Sequence, residues 1–434
     1  MANTFNIITL GCKVNQYESE AVEELFLQKG YEKAHSNADI YVINTCTVTN
    51  MSDRKSRQMI SKARRDNPDA IVAVMGCYSQ VKPEEVAKIE GVDIVLGSRN
   101  KENVVDLCEG ILQNKNAIDK IIAPSESKTY EELEISNQTE MTRAYIKIQD
   151  GCNMYCSYCL IPYARGNIVS RDIDSITEET KRLADNGFKE IVLTGIHVAS
   201  YGKDFDSDIS LIDVIEAVAS VDGIKRIRLS SMEPRHISLD FLERMKATGK
   251  ACDHFHLSLQ SGSDDILKSM NRKYDRKMYK EKVDLIRDVF PNAGLTTDII
   301  VGFPGESQEN HKETMEFVDE IKFAKTHLFK YSPREGTRAA KMGGQIDGNI
   351  KKQRLHDLER IEEKNRMNFL EKQIGEVLEV LIESKSDLEG YSGGYSTNYL
   401  KVNVKNDIEA NTIVEVKITD ILEGELVGEI ILKI

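Results

Sequence analysis

Residues 151–159 read GCNMYCSYC and place three cysteines, Cys152, Cys156 and Cys159, on one short segment. We call them the loop cysteines. A zinc ribbon or a saturated iron–sulfur cluster normally takes four protein ligands, whereas three thiolates can hold three irons of a 4Fe–4S cube and leave the fourth iron open. The alternative is a structural zinc site completed by a distant His or Cys, although zinc ligands usually come as closely spaced pairs. The segment therefore predicts a cluster whose fourth ligand is not a protein side chain.

A second set of three cysteines is spread over the first part of the chain. Cys12 follows NIITLG, Cys46 follows IYVINT and Cys77 follows IVAVMG, so each lies just beyond a predicted strand. In an open parallel sheet the carboxyl ends of the strands share one edge, where ligands bind. These dispersed cysteines therefore predict a second cluster. The alternative is that each is a buried apolar residue, as we expect for Cys108 and Cys252.

The pattern of strands and helices around the cysteines predicts a multidomain α/β protein. Residues 1–123 alternate short apolar strands with amphipathic helices, which indicates an open parallel sheet, and the polar residues 124–140 indicate a linker. Residues 141–373 contain at least six strand–helix units and end in a long charged helix, which predicts a full or partial (β/α) barrel with the loop cysteines after its first strand. Residues 374–434 predict a small all-β barrel.

The bulk composition limits the class of protein. The 434 residues include 58 Lys and Arg against 71 Asp and Glu, a net charge of −13, which argues against a general nucleic-acid coat but allows a local basic surface. No apolar run approaches the roughly 18–20 residues that span a bilayer, and the N-terminal segment lacks the features of a secretory signal. We therefore expect a cytoplasmic protein with no membrane partner, in which the eight cysteines are metal ligands or thiols rather than disulfides.

The CxxxCxxC loop on the first strand of a βα barrel resembles the radical S-adenosylmethionine (SAM) superfamily. In that superfamily SAM is the fourth cluster ligand, through its amino and carboxylate groups. TGIH (194–197), SSMEP (230–234), SLQSGS (258–263) and DIIVGFPGE (298–306) resemble the remaining cofactor-contacting strand ends, in the expected order. The resemblance implies that SAM contacts eight residues: Tyr158, Thr194, Gly195, Ser231, Glu233, Gln260, Ile300 and Gly302.

The layout of the whole chain resembles the methylthiotransferases, whose C-terminal barrel is of the TRAM type. Segments such as LGCKVNQYESE, INTCTVTN and KYSPREGT look most like the branch that adds a methylthio group to carbon 2 of N6-threonylcarbamoyladenosine beside the tRNA anticodon. The isopentenyladenosine branch tends to carry Gln–Asn where this chain has Ile196 and His197. The resemblance implies two 4Fe–4S clusters, one on each cysteine set, with SAM as radical source and methyl donor. It implies no catalytic residue beyond the cluster ligands.

The same resemblance implies the partners: the tRNA anticodon loop and an electron donor such as flavodoxin or ferredoxin, for a protein that is a monomer. Positive charge for tRNA phosphates is expected on the basic segment 53–65, DRKSRQMISKARR, although such a run is often only a solvated helix face. The predicted RNA contacts are Arg54, Arg57, Arg64, Arg165 and Arg171.

The C-terminal segment 375–434 weakens the case for RNA contact by that domain, since it has 5 lysines, no arginine and 12 acidic residues. Its tyrosines and nearby asparagine either stack on RNA or pack the barrel: Tyr391, Tyr395, Tyr399 and Asn398.

Other functions stay open at this point. Within the enzyme class, the substrate could be isopentenyladenosine in tRNA or an aspartate of a ribosomal protein. From other classes, the chain could be an iron–sulfur electron-transfer or carrier protein, or an RNA-binding module with structural zinc.

Overall fold

The computed structural model describes residues 3–113, 121–135, 142–386 and 388–433. The predicted linker, residues 124–140, is described as far as residue 135, and this part contains neither helix nor strand. Residues 136–140 lie outside the described residues. In the described part of the chain, no helix is long and apolar enough to cross a membrane.

The N-terminal part is a six-stranded parallel sheet, as predicted. Its strands are β1 (Thr4–Thr9), β2 (Glu32–Lys33), β3 (Ile40–Thr45), β4 (Ile71–Gly76), β5 (Ile94–Leu96) and β6 (Ile121–Ala123). They lie in the spatial order β2-β1-β3-β4-β5-β6. β3 and β4 are buried at every position because helices cover both faces of the sheet.

Five helices cover the two faces of this sheet. The helices are α1 (Lys13–Gln28), α2 (Asn50–Asp66), α3 (Cys77–Val81), α4 (Pro83–Ala87) and α5 (Val104–Gln113). α1 and α5 share one apolar core with the sheet, and Cys108 is buried there as expected. α2, α3 and α4 share the other core. In the sheet, β2 lies on one side of β1 and β3 on the other, so the strand order reverses between β1 and β3. The carboxyl edge at such a reversal is the usual ligand-binding point of an open parallel sheet.

The central part is a partial barrel of six parallel strands and one short antiparallel strand. Its strands are β7 (Arg143–Asp150), β8 (Val169–Ser170), β9 (Glu190–Gly195), β10 (Arg226–Leu229), β11 (His254–His256), β12 (Gly294–Val301) and β13 (Lys325–Lys330). β10, β9 and β7 are parallel neighbours, as are β11, β12 and β13, and the short β8 is antiparallel to β7. A bridge between Ile227 and Ala251 joins the two sheets into one curved wall. Because β13 does not pair with β7 among the described residues, the wall stays open on that side.

Helices follow the strands of this wall and cover its outside. They are α6 (Ile161–Arg165), α7 (Ile173–Asp185), α8 (Leu211–Ala219), α9 (Leu239–Ala247), α10 (Asp264–Ser269), α11 (Arg276–Val289), α12 (Gln308–Ile321) and α13 (Gly348–Glu371). A single apolar core fills the space between strands and helices.

The C-terminal part is a closed five-stranded barrel. Its strands are β14 (Val377–Lys385), β15 (Tyr391–Ser396), β16 (Lys401–Lys405), β17 (Ile413–Leu422) and β18 (Glu425–Lys433). The sequence did not predict β15, because its residues YSGGYS are typical of a turn. The glycines have a packing role: a Cβ atom on Gly394 would lie 2.2 Å from the carbonyl oxygen of Leu381.

The C-terminal barrel closes the amino end of the six-stranded wall. Arg226 donates from both terminal nitrogens to the carbonyl oxygen of Tyr395 at 3.1 Å, and the guanidinium of Arg228 lies 4.6 Å from the ring centroid of Tyr399. The ring of Tyr399 also packs on His254, with 4.6 Å between centroids. Of the two alternatives for Tyr395, Tyr399 and Asn398, packing agrees with the structure: these side chains contact the wall, and Asn398 is 2% exposed. Their contact with RNA stays a prediction.

A buried network of charges joins the N-terminal sheet to the wall. Glu18 of α1 is fully buried and contacts Arg165 at 2.7 Å, Lys147 at 2.8 Å and Lys101 at 3.3 Å. Arg165 also pairs with Asp150 at 3.0 Å. The two parts are thus held together by ion pairs that water does not reach.

Candidate functional site

The dispersed cysteines meet at the carboxyl edge of the N-terminal sheet. Cys12 is the N-cap of α1 just beyond β1, Cys46 directly follows β3, and Cys77 begins α3 directly after β4. Gly11, with φ +117°, allows a close approach, since a Cβ atom there would lie 2.9 Å from the Cβ of Cys46. The structure therefore brings these three residues together at the edge where the strand order reverses.

The loop cysteines lie at the carboxyl end of β7. The turn at Gly151 has φ +73°, and a Cβ atom there would lie 1.9 Å from the carbonyl oxygen of Asn167, so only glycine fits. The backbone N–H of Cys159 donates to the carbonyl oxygen of Cys156 at 3.0 Å, which holds the loop in a turn. Cys152 stays partly exposed. The loop therefore presents its three thiols together at one end of the wall.

The spacing of the thiols does not suit a single metal ion. Tetrahedral zinc with bonds of about 2.3 Å places its sulfur ligands about 3.8 Å apart. Across the described ranges, however, only His197, Glu233 and His236 form a group of three ligand atoms all within 4.8 Å of one another. Neither cysteine set is that tight. Thiolates on separate irons of a cluster lie farther apart than thiolates on one ion, so both sets fit a cluster better than zinc.

Each cysteine set receives a hydrogen bond from an arginine, which is buried at the dispersed cysteines and partly buried at the loop cysteines. Arg165 Nε donates to Cys77 Sγ at 3.3 Å, and one terminal nitrogen of Arg272 donates to Cys156 Sγ at 3.2 Å. Hydrogen bonds to sulfur and nearby charge set the reduction potential of an iron–sulfur cluster. We did not predict this role for either residue, and no local sequence signal distinguishes them from other arginines. Arg165 lies on α6, close to the loop cysteines, so it also connects the two sites.

Burial favours the protonated form of four of the six thiols when no metal is bound. Burial raises the pKa of Cys152 to about 11 and those of Cys77 and Cys159 to about 12. It also raises the pKa of Cys46. Since only the thiolate binds iron, these sites lose protons when the metal arrives and are inert without it. This is the behaviour of buried cluster ligands rather than of a nucleophilic cysteine.

The residues expected to contact SAM lie near the carboxyl ends of neighbouring strands. Tyr158 and Ile300 border one apolar cluster, and the Tyr158 ring packs edge-on to Phe303 with 6.5 Å between centroids. This apolar surface beside the loop cysteines suits the face of an adenine. Gly195 ends β9, where a Cβ atom would lie 2.9 Å from the carbonyl oxygen of Gln149.

Other members of this predicted set are engaged within the protein. Thr194 is buried in β9 at 2% exposure, and the hydroxyl of Ser231 pairs with that of Ser258 at 2.8 Å. Gln260 and Gly302 both have φ +71°, and the backbone N–H of Gly302 donates to Glu306 at 3.0 Å. Their contact with SAM stays a prediction.

Glu233 belongs to a compact polar group. Arg235 binds both of its oxygens, at 3.1 and 2.8 Å, and His197 Nε2 lies 3.7 Å from Oε2. Although burial opposes ionisation, the neighbouring His197 and the hydrogen bonds from Arg235 lower the pKa of Glu233 to about 2. Burial lowers the pKa of His236 to about 4. Arg235 already neutralises the carboxylate. The group therefore suits a polar part of the SAM site better than it suits a binding site for a metal ion.

Two of the arginines predicted to contact RNA are buried, and this corrects the prediction. Arg165 is held by Glu18 and Asp150, as described above. Arg171 is also buried and pairs with Glu179. Arg64 is half-buried and pairs with Asp93 at 2.8 Å. These arginines form ion pairs with carboxylates of the same chain. The basic sequence around them gives no sign of these partners.

The exposed face of α2 retains positive charge. Arg54 and Arg57 are exposed, and Arg57 donates to the hydroxyl of Tyr78 at 3.1 Å. Lys55 and Lys62 are also exposed on this helix. α2 begins beside Cys46, so its charge lies next to the dispersed cysteines.

Comparison with known proteins identifies the family. Residues 146–318 match the Radical SAM superfamily, residues 4–97 match the Uncharacterized protein family UPF0004, and residues 371–431 match the TRAM domain. Threonylcarbamoyladenosine tRNA methylthiotransferase MtaB of Bacillus subtilis is 41% identical over 94% of this chain and 92% of its own. The chain belongs to the radical SAM methylthiotransferase family.

Other methylthiotransferases are similar over comparable lengths. The enzyme named MtaB in Aquifex aeolicus is 39% identical over 94% of this chain and 98% of its own. The tRNA-2-methylthio-N(6)-dimethylallyladenosine synthase of Pelotomaculum thermopropionicum is 36% identical over 88% of this chain and 87% of its own. These relatives represent the MtaB-like and the dimethylallyladenosine branches of one family. The two MtaB enzymes named here are 41% and 39% identical to this chain, and the synthase is 36% identical. As a methylthiotransferase, this chain is an enzyme that uses SAM and iron–sulfur chemistry.

A solved structure confirms the fold class. The radical SAM methyltransferase TsrM of Kitasatospora setae, with cobalamin and a 4Fe–4S cluster bound, has a TM-score of 0.58 and 14% identity. The match covers 78% of this chain and 77% of that one. At this identity it shows a shared fold and nothing about the reaction of this methylthiotransferase.

Proposed function

We propose that this protein transfers a methylthio group to carbon 2 of N6-threonylcarbamoyladenosine, next to the anticodon of tRNA. The observation that carries the proposal is the pair of three-cysteine sites, in each of which an arginine donates a hydrogen bond to one sulfur. The relatives at 41% and 39% identity, both named for this substrate, support the choice of branch.

The cysteine ligands divide between the domains. The loop cysteines, in the domain 141–373, hold the cluster that SAM completes. The dispersed cysteines, in the domain 1–123, hold an auxiliary 4Fe–4S cluster. The domain 374–434 closes the amino end of the wall, on the side away from both cysteine sets.

Replacement of a hydrogen on an unactivated aromatic carbon is beyond any protein acid or base near neutral pH. When bound, the two clusters and SAM would supply the electron, the radical and the methyl group for this step, and the auxiliary cluster would carry the sulfur atom that enters the product. The protein's own residues bind and orient SAM and the substrate base, and they exclude water from the site. Tyr158 and Ile300 provide an apolar surface for adenine, and Glu233 provides a carboxylate for the amino group of SAM. Arg165 and Arg272 add positive charge and a hydrogen bond beside the sulfur ligands.

The proposal also includes a monomer that takes electrons from a flavodoxin or ferredoxin. Two 4Fe–4S clusters require about eight irons per chain. Iron and acid-labile sulfide analysis of the reconstituted protein tests this count, and about four irons in the fully reconstituted protein would contradict it.

The decisive experiment is mass spectrometry of nucleosides from tRNA incubated anaerobically with the reconstituted protein, SAM and a strong reductant. The tRNA should carry both candidate modified adenosines. A methylthio product on threonylcarbamoyladenosine alone is expected. The same group on isopentenyladenosine would favour the second candidate function, which the 36% identity to a dimethylallyladenosine enzyme supports. Formation of 5′-deoxyadenosine without any methylthio nucleoside would indicate a protein substrate.

Positive charge on α2 is expected to bind tRNA phosphate. The double substitution Lys55→Ala and Lys62→Ala should weaken tRNA binding and reduce the slope of log affinity against log salt by about 0.7–0.9 for each phosphate that the variant no longer neutralises. Fluorescence anisotropy with labelled tRNA at several salt concentrations measures this slope. The matched control is Lys181→Ala with Lys225→Ala, two exposed lysines on the barrel domain. An unchanged slope in the α2 variant would show that this helix face is only solvated.

A further inference from the structure

Two cavities meet inside the six-stranded wall. The first, about 1140 Å3, opens along α1 and is lined by Cys12. The second, about 550 Å3, runs from Ser231 to Tyr399 on the C-terminal barrel. Three residues line both cavities: Lys13, His256 and His327. These three side chains therefore form the junction between the cavity beside Cys12 and the cavity within the wall.

Lys13 brings a positive charge without a counter-ion to this junction. Within the described ranges its ammonium pairs with no carboxylate; Nζ lies 3.3 Å from Gln16 Oε1 and 4.6 Å from the ring centroid of Tyr145. The glutamates of the first cavity lie farther along α1, since Glu20, the first of them, is seven residues on, about 10 Å along the helix axis. The first turn of α1 also contains no acidic residue, so the positive end of the helix adds to the charge of Lys13.

A matched set of hydrogen-bonding groups faces Lys13 from the wall. His256 Nδ1 contacts the Thr296 hydroxyl at 2.9 Å, and Nε2 lies 3.3 Å from Asp298 Oδ2. Asp298 lines the first cavity, and the His327 ring lies 5.9 Å from that of His256. The junction thus offers one unpaired cation together with donors and an acceptor. This combination suits a ligand that has a carboxylate and further polar groups.

We propose that Lys13 determines substrate specificity by pairing with the carboxylate of the threonylcarbamoyl group, while His256 and Asp298 contact its hydroxyl and ureido groups. This inference rests on the proposed function and deepens it. An isopentenyl group has no polar atom to offer, so its binding would leave the ammonium of Lys13 desolvated and unpaired. A site built to hydrogen-bond a polar group strongly rejects an analogue that lacks this group. An apolar pocket rejects an analogue that carries an extra polar group much less strongly.

The test compares RNAs that differ only in this carboxylate. Fluorescein-labelled anticodon stem-loops carrying threonylcarbamoyladenosine or its methyl ester are bound to the reconstituted protein without reductant, and fluorescence anisotropy gives both affinities. Wild type should prefer the acid by about 10- to 100-fold, the range expected for a charge-assisted hydrogen bond. Lys13→Met should bind both RNAs alike, and Lys13→Arg should restore the preference. Lys225→Met, at an exposed position just before β10, is the matched control and should behave as wild type.

Failure of this inference is distinguishable from failure of the proposed function. Equal affinity of wild type for acid and ester, or a preserved preference in Lys13→Met, overturns the role of Lys13 while wild type still converts the acid RNA to its methylthio product. Absence of that product with the acid RNA overturns the proposed function, and the inference with it. Loss of binding to both RNAs in Lys13→Met without rescue by Lys13→Arg would assign Lys13 a structural role and also overturn the inference.

Discussion

Replacing Cys156 by alanine is expected to abolish reductive cleavage of SAM, whereas Cys46→Ala is expected to retain this cleavage and lose methylthio transfer. Cys156 is one of the loop cysteines. Without it only two thiols remain, whereas three are needed to bind the cluster that SAM completes. Cys46 belongs to the other site, so the first cluster still forms. Loss of a ligand should reduce each affected reaction by more than about 100-fold, since loss of outer contacts alone costs 10- to 100-fold. Release of 5′-deoxyadenosine measures the cleavage, and nucleoside mass spectrometry measures the transfer.

Cys108→Ala is the matched control for both variants, because Cys108 is buried in the apolar core between the sheet and α5. It should retain cleavage and transfer. Cleavage by Cys156→Ala would contradict the assignment of the loop cysteines, and product formation by Cys46→Ala would contradict that of the dispersed cysteines.

Glu18→Gln is expected to destabilise the folded protein by about 3–5 kcal/mol, the usual effect of removing one partner from a buried ion pair. The substitution leaves Arg165, Lys147 and Lys101 with less compensating charge in a region that excludes water. Thermal unfolding of the metal-free protein, followed by circular dichroism, measures the shift. Glu243→Gln, at an exposed position on α9, is the control and should change stability by less than about 0.5 kcal/mol. Equal midpoints for the two variants would show that the network contributes specificity rather than stability.

The pH dependence of this effect follows from the charge on Glu18. Burial opposes ionisation, but Arg165, Lys101 and Lys147 lower the pKa of Glu18 well below its ordinary value. A lowered pKa in the folded state stabilises the protein above the ordinary glutamate pKa of about 4.3, and this contribution is lost as the pH falls through the lowered value. The difference between wild type and Glu18→Gln should therefore persist at neutral pH and shrink in strongly acidic solution.

The arrangement of strands and the positions of the cysteines could be predicted because both depend on local patterns. Apolar runs mark the strands, and Cys12, Cys46 and Cys77 follow them directly. Local patterns do not predict which charged residues are buried or which partners they pair with. Arg165 and Arg171 resemble surface arginines in sequence, but their partners include Glu18 and Tyr17, 147 and 154 residues away. Lys13 is the reverse case: it lies beside a predicted ligand, yet only the fold shows that it faces the interior of the wall.

The C-terminal barrel contributes to the burial of the wall as well as to its closure. Arg226 and Arg228 share a single buried carboxylate, Glu190, and find their remaining partners in the backbone of residues 395–397. A nonsense mutation between codons 375 and 395 would remove those partners and expose two guanidinium groups. Such an allele should behave as a loss of folded enzyme, recognised by proteolysis, rather than as an enzyme with weakened affinity for RNA.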